Sequence, residues 1–196
     1  MAMRVIAGKY RSRPLHSLGG MDVRPTSDRL RETLFDVLTA GNPAALEGSR
    51  WLDLFAGTGA VGIEAISRGA AEVHFVESSS SAFAAIRQNL KSLGIAQGFQ
   101  LTHAQLPGAL GLIERQGLTA DVVFLDPPYR MKDAYGNTLR ALADSALIAA
   151  RSVVIAEHER KFDPGSQFGT LHRVRILPQG SAALSFYKRT NSDGPE

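Results

Sequence analysis

Residues 51–62 read WLDLFAGTGAVG, and this stretch constrains the fold more than any other. Trp51, Leu52, Leu54 and Phe55 make an apolar strand that carries one carboxylate, Asp53. The chain then breaks at Gly57-Thr58-Gly59 and continues from Ala60 to Ile66 in a helical pattern. Strand, glycine turn and helix are the first half of a βαβ nucleotide-binding unit. Glycines at the turn permit positive φ and let a ligand approach the backbone closely. The following helix start offers free N–H groups.

Two ligand classes compete for that turn. Gly57-x-Gly59-x-x-Gly62 fits the dinucleotide fingerprint, a weak signal when it stands alone. Asp53 points elsewhere: a carboxylate four residues before the first glycine repels a pyrophosphate and suits a cation. S-adenosylmethionine, with its ammonium and sulfonium, is such a ligand. Glu77 closes the second predicted strand, 24 residues after Asp53, where a doubly wound fold uses a carboxylate to bind ribose hydroxyls. It suits either ligand.

From Arg50 onward strands and helices alternate, which predicts an α/β layered sheet. Strands are expected at 51–55, 71–76, 99–102, 121–125 and 152–156, with helices at 59–68, 79–93, 106–115 and 133–149. The chain ends differently. Residues 171–177 and 183–188 are strand-like, with only Pro178-Gln179-Gly180-Ser181 between them, so they form a hairpin and one strand must run antiparallel. The expected fold is a doubly wound, mostly parallel seven-stranded sheet, Rossmann-like and closed by that hairpin, as in class I methyltransferases. Nicotinamide-binding domains keep a parallel sixth strand, which counts against an oxidoreductase.

Asp126-Pro127-Pro128-Tyr129 follows the apolar DVVFL strand directly, at the edge where open α/β sheets bind ligands. Two prolines remove two backbone donors and stiffen the turn. Carbonyls and a carboxylate remain as an acceptor-only wall, the complement of an exocyclic amine with two N–H donors. Tyr129 offers a face for a base to stack on, a contact worth about 1–3 kcal/mol. Such a wall orients an aromatic amine toward an activated methyl, so positioning and electrostatics carry the reaction. Guanine, adenine and cytosine amines all satisfy it.

Composition narrows the remaining classes. The 196 residues are 44% hydrophobic and 21% charged, as in a globular domain, and long enough for a sizeable core. There is no cysteine, which excludes disulfides, thiolate metal sites and a cysteine nucleophile. The histidines show no metal-site spacing. No apolar run reaches membrane-spanning length and the first residues lack a signal-peptide core, so a cytoplasmic location is expected, with no membrane partner.

Charge is uneven. Residues 1–35 hold seven Lys or Arg (Arg4, Lys9, Arg11, Arg13, Arg24, Arg29, Arg31) against three acids, while the rest of the chain holds 15 against 16. The overall +3 therefore comes from the first sixth of the chain, which points to a polyanionic partner. This region reads as a small basic hairpin (4–8 with 11–15), a Gly19-Gly20 loop, and a helix started by Pro25, Thr26, Ser27 and Asp28. Leu30, Leu34, Val37 and Leu38 make that helix's apolar face, with Arg29 and Arg31 off it. The organisation expected is a basic N-terminal extension over 1–42, a methyltransferase domain over 43–190 and a frayed tail over 191–196. His158 and His172 read as surface residues flanking strands, and Glu157 and Glu159 as solvated.

The chain resembles the RsmD family of bacterial 16S rRNA guanine-N2 methyltransferases. MRVIAGKYRSRPL near the start, RPTSDRLRETLF at 24–35, DLFAGTGAVGIEAISRGA at 53–70 and DPPY at 126–129 carry the resemblance, which runs from Met3 to about Arg189. The 24–35 segment separates it from DNA adenine methyltransferases, which share only the DPPY type of motif. The resemblance implies S-adenosylmethionine as donor, S-adenosylhomocysteine as product, and no metal. It implies cofactor contacts at Asp53, Phe55, Ala56, Gly57, Thr58, Gly59, Glu77, Ser78, His103, Ala104 and Asp126. It implies that Asp126, Pro127, Pro128 and Tyr129 hold the target base. Arg4, Lys9, Arg11, Arg13, Arg24 and Arg29 are the RNA-binding residues it implies. The partner is 16S rRNA in the small ribosomal subunit or an assembly intermediate, met by a monomer. His103 stands where family members commonly have Asp or Asn. Adenine or cytosine methylation, and an RNA-binding assembly factor that kept the fold, are the competing functions.

Overall fold

The structure, a computed structural model, describes residues 3–17 and 27–190. Arg24, the Gly19-Gly20 loop, the first residues of the 24–35 segment and the tail after Thr190 lie outside the described residues. Among the described residues eight strands form a mixed sheet with a parallel core and antiparallel C-terminal strands, one strand more than the seven expected. The chain divides into two compact units, Met1–Ala104 and Gln105–Glu196.

The first unit contains α1 (Asp28–Leu38), β1 (Arg50–Leu54), α2 (Ala60–Ser67), β2 (Glu72–Glu77), α3 (Ser80–Leu93) and β3 (Phe99–His103). Its strands lie in the order β3-β2-β1, all parallel, with Asp53 opposite Phe75 and Glu77 opposite His103. Trp51, Leu52, Leu54, Phe75 and Ile86 are fully buried, and the Trp51 ring stacks on Phe35 of α1 at 5.4 Å. Burying side chains of this size contributes about 1.5–3 kcal/mol each. Ser27 caps α1 by accepting from the Leu30 N–H (3.2 Å). The helix stops at Leu38, before Gly41.

Residues 3–15 are a hairpin in their hydrogen bonds, Val5 N to Arg13 O and Leu15 N to Met3 O (both 2.9 Å), although only Arg4 and Pro14 form a β-bridge. This arm is anchored rather than free. The Glu64 carboxylate, buried on α2, accepts from Ile6 N (2.7 Å) and Ala7 N (2.9 Å). Ser67 accepts from Tyr10 N and donates to Ala7 O. A Cβ on Gly8 would sit 1.9 Å from the Ser67 carbonyl oxygen, so only glycine allows this approach.

The second unit contains α4 (Ala109–Glu114), β4 (Ala120–Leu125), α5 (Lys132–Ala143), β5 (Ile148–Glu159), β6 (Gln167–Phe168), β7 (Leu171–Gln179) and β8 (Ala182–Arg189). β4 pairs in parallel with β5, and β5, β8, β7 and β6 follow as antiparallel neighbours. The two-residue β6 is the unexpected strand, too short to leave a periodic signal. α5 ends six residues earlier than expected. The Arg189 guanidinium donates to the carbonyls of Ala143, Ser145 and Ile148 (2.7–2.8 Å), closing the helix end and the turn into β5. β5 runs to Glu159 rather than Ala156, because its last residues pair with β8. The Glu157 and His158 readings are corrected accordingly: both are buried within the sheet.

Candidate active site

The first unit supplies a pair of carboxylates and a glycine turn at the carboxyl ends of β1 and β2. After β1 the backbone takes positive φ at Phe55 (57°), Gly57 (57°) and Gly59 (77°). Positive φ is unusual for a phenylalanine and marks a site held by its surroundings. Ala56 N bonds Val76 O (3.1 Å), tying the turn to β2. Gly62 answers a packing demand: a Cβ there would lie 2.3 Å from Phe75 Cε1. That is the role of the third glycine in nucleotide-binding turns.

Asp53 is 2% exposed, and its carboxylate accepts from the Gly62 N–H (2.9 Å). Burial pushes its pKa up to about 8; the Gly62 hydrogen bond opposes the shift and the Glu77 charge adds to it. Glu77 accepts from Gly57 N (2.8 Å) with one oxygen and from Ser79 N (2.7 Å) with the other. It thus holds the glycine turn and the start of α3 in place, and each oxygen retains a lone pair for a further donor. The serine-rich start of α3 closes the helix end: Ser79 caps it through Ala82 N (3.4 Å) and meets Ser81 Oγ at 3.0 Å.

His103 is exposed at the end of β3. Its ring stacks on Phe83 (4.7 Å between centroids) and its Nε2 lies 3.0 Å from the Ser78 carbonyl. Ala104 N bonds Glu77 O (3.2 Å), so residues 103–104 brace the end of β2. The Thr58 side chain is buried, and its carbonyl accepts from Asn89 Nδ2 (2.9 Å).

In the second unit a turn of acceptors follows β4. Leaving β4, Asp126 is half-buried, Pro127 buried, Pro128 exposed and Tyr129 half-buried. Met131 N bonds Pro128 O (2.7 Å), which folds the turn onto the start of α5. The Pro127 carbonyl accepts from the hydroxyl of Tyr135 (3.3 Å), a residue the sequence reading passed over. Tyr135 is 1% exposed; burial, then the Asp126 charge, push its phenol pKa well up, so it remains a donor. It leads the buried stripe Tyr135, Thr138, Leu139, Leu142, the helical spacing that could have revealed it.

In the same unit His158 places Nε2 2.8 Å from Ser185 Oγ and Nδ1 2.9 Å from the Glu159 carbonyl, and burial lowers its pKa. His172 is half-buried within β7. Among the described residues no group of three His, Cys, Asp or Glu could hold a metal ion.

The basic residues divide. Arg4, Lys9, Arg11, Arg13 and Arg29 are exposed. Arg13 donates to the Ser92 carbonyl (3.1 Å), and Arg4 Nε lies 3.7 Å from Asp28. Arg31, expected off the buried face of α1, is instead 0% exposed. It donates to Arg4 O (2.8 Å) and Asp28 (2.6 Å), a structural strut between helix and arm.

The donor set suits a cationic, ribose-bearing ligand: two carboxylates and a glycine turn held at positive φ. With the parallel core and antiparallel closing strands, it defines a methyltransferase of the Rossmann-like class. The family described as Conserved hypothetical protein 95 matches residues 3–188, and the chain belongs to that family, the RsmD family of the sequence resemblance. It is 32% identical to YlbH of Bacillus subtilis over 188 residues, covering 95% of this chain and 99% of that one. It is 30% identical to the ribosomal RNA small subunit methyltransferase D of Escherichia coli strain K12 over 189 residues, covering 95% and 90%. The solved structure of the hypothetical protein TTHA0928 of Thermus thermophilus superposes with a TM-score of 0.78 at 28% identity, covering 94% of this chain and 98% of that one.

Proposed function

We propose that this protein methylates the exocyclic N2 amine of one guanine in the 16S rRNA of the small ribosomal subunit. The observation that carries the reading is the DPPY turn at the end of β4, with its Pro127 carbonyl fixed by Tyr135. That carbonyl has a second lone pair, and the Asp126 carboxylate stands beside it in sequence. Together they accept the two amine N–H groups and aim the nitrogen lone pair. Tyr129 stacks against the base. Bound S-adenosylmethionine supplies an electrophilic methyl group, and Asp53, the 55–59 turn, Glu77, Ser78, His103 and Ala104 are the residues assigned to hold it. The N–C bond forms as the S–C bond breaks, Asp126 stabilises the developing ammonium, and the amine then sheds a proton to solvent.

The relatives' names and the basic arm support RNA as the substrate. Arg4, Lys9, Arg11, Arg13, Arg24 and Arg29 are assigned to phosphates, with residues 1–42 acting as the RNA-gripping element. The test is methyl incorporation into small-subunit rRNA from a host lacking this enzyme, followed by mapping of the modified base. A methylated guanine amine is the expected product, and Asp126→Ala should lower the rate at least about a hundredfold. Methylation only at adenine or cytosine overturns the base assignment. Full activity of Asp126→Ala overturns the mechanism.

A further inference from the structure

Asn89 lies in the C-terminal half of α3 and is 0% exposed, so an amide there needs a structural account. It bonds to backbone groups. Oδ1 accepts from His16 N (2.7 Å), while Nδ2 donates to His16 O (3.2 Å) and to Thr58 O (2.9 Å). Both amide protons are therefore spent, one on the arm and one on the glycine turn. His16 follows Leu15, the last residue of the hairpin's hydrogen bonds, and is exposed. Thr58 is the central residue of Gly57-Thr58-Gly59. One buried side chain thus joins the backbone of the basic arm to the backbone of the cofactor turn.

A cleft of about 130 Å³ opens beside this joint, lined by Arg13, Pro14, Leu15, His16, Ser92 and Leu93. Its cationic group, Arg13, is one of the phosphate-binding residues assigned above. A ligand that grips the arm at this cleft bears directly on the His16 peptide, which is hydrogen-bonded to Asn89. That peptide orients the Asn89 amide, and the amide orients the Thr58 carbonyl.

We infer that Asn89 is a positioning residue that couples RNA engagement by the arm to the geometry of the cofactor turn, so that each ligand binds more tightly in the presence of the other. The inference rests on the functional reading given above. A coupling of this kind is reciprocal: the factor by which RNA raises cofactor affinity equals the factor by which cofactor raises RNA affinity.

The experiment measures S-adenosylhomocysteine affinity by calorimetry, with and without deproteinised small-subunit rRNA from a host lacking this enzyme. RNA affinity is measured with and without S-adenosylhomocysteine. The wild-type protein should show a factor of about five or more in both directions, the lower end of measured couplings. Asn89→Leu, which keeps the branching at Cγ and loses all three bonds, should bring it to about one while both ligands still bind. His16→Pro deletes the arm's N–H and presses its ring on Asn89 Oδ1, so it breaks the arm's side of the joint with residues 58 and 89 unchanged and carries the test should Asn89→Leu not fold. It too should reduce the factor. A purely structural Asn89 would lower stability or both affinities and leave the factor unchanged; that result overturns the inference. So does a wild-type factor of one with RNA bound. No RNA binding by the wild type defeats the functional reading itself, and the inference with it.

Discussion

Cofactor binding should expel a proton from Asp53. The carboxyl is 2% exposed and its pKa is pushed up to about 8, so in the free protein at pH 7 only about one molecule in ten carries the charge. A ligand ammonium or sulfonium favours the ionised form, so the apparent affinity is scaled by the ionised fraction. That fraction is about 1% at pH 6 and one half at pH 8, which makes the affinity gain between them about fiftyfold. At pH 7 about 0.9 proton should leave per ligand bound. Calorimetry of S-adenosylhomocysteine in buffers of different ionisation enthalpy reads the proton count directly. Asp53→Asn, which mimics the neutral acid, corrects for titration of the ligand's own amine and should give a flatter profile. Equal pH slopes for the two proteins would refute the reasoning.

The same shift has a stability consequence of definite sign. The unfolded chain releases the Asp53 proton near pH 4, whereas the folded chain keeps it to about 8. More protons are then bound in the native state across that interval, so this group's contribution falls as pH rises from about 4 toward 8 and levels off above it. Asp53→Asn should remove that fall in urea titrations performed across the interval.

Three further outcomes are expected. Glu64→Leu leaves Ile6 N, Ala7 N and the Arg68 guanidinium without their buried acceptor; urea unfolding should show a loss of about 3–5 kcal/mol, and a loss below about 1 kcal/mol would show that the arm is not anchored there. Removing the charges of Arg11 and Arg13 together should flatten the salt dependence of RNA binding by about 1.4–1.8 in log–log slope, and leave S-adenosylhomocysteine affinity measured without RNA unchanged. Tyr135→Phe keeps the ring in its core position and deletes the bond to the Pro127 carbonyl; it should cost about 1 kcal/mol of stability and lower kcat more than cofactor affinity, measured by single-turnover methyl transfer.

What the sequence made legible was the set of elements fixed by local patterning. The apolar runs of β1, β2 and β4 bury both faces, so their hydrophobicity is continuous and their bounds fall within a residue or two of expectation. The glycine turn was readable because positive φ leaves few residue choices. DPPY was readable because two prolines fix a turn whatever surrounds it. Readings failed where the deciding partner was distant. β5 continues past Ala156 only because β8 lies alongside its last residues, and nothing in residues 157–159 encodes that pairing. α5 ends at Ala143, whose carbonyl is taken by Arg189, more than forty residues on.

The N-terminal arm is the sharpest instance, and it changes how the basic extension should be understood. Glu64, Asn89 and Arg31 each look like surface residues by type, and each is buried with backbone groups among its partners. The Glu64 bonds span 57 and 58 residues and the Asn89 bonds to the arm span 73, so no local window contains both ends. A long polar side chain on a helix is normally counted as solvated, and the count holds only when no peptide group arrives to replace the water. Here the arm brings peptide groups to α2 and α3 and occupies their polar residues. Its charged side chains then face outward because its backbone faces in. The excess positive charge is thus mounted on the same helices that frame the glycine turn, rather than carried on a free tether. A rigid mount limits the positions from which a bound polyanion can approach. It also leaves the arm no way to move without disturbing Glu64, Ser67 or Asn89.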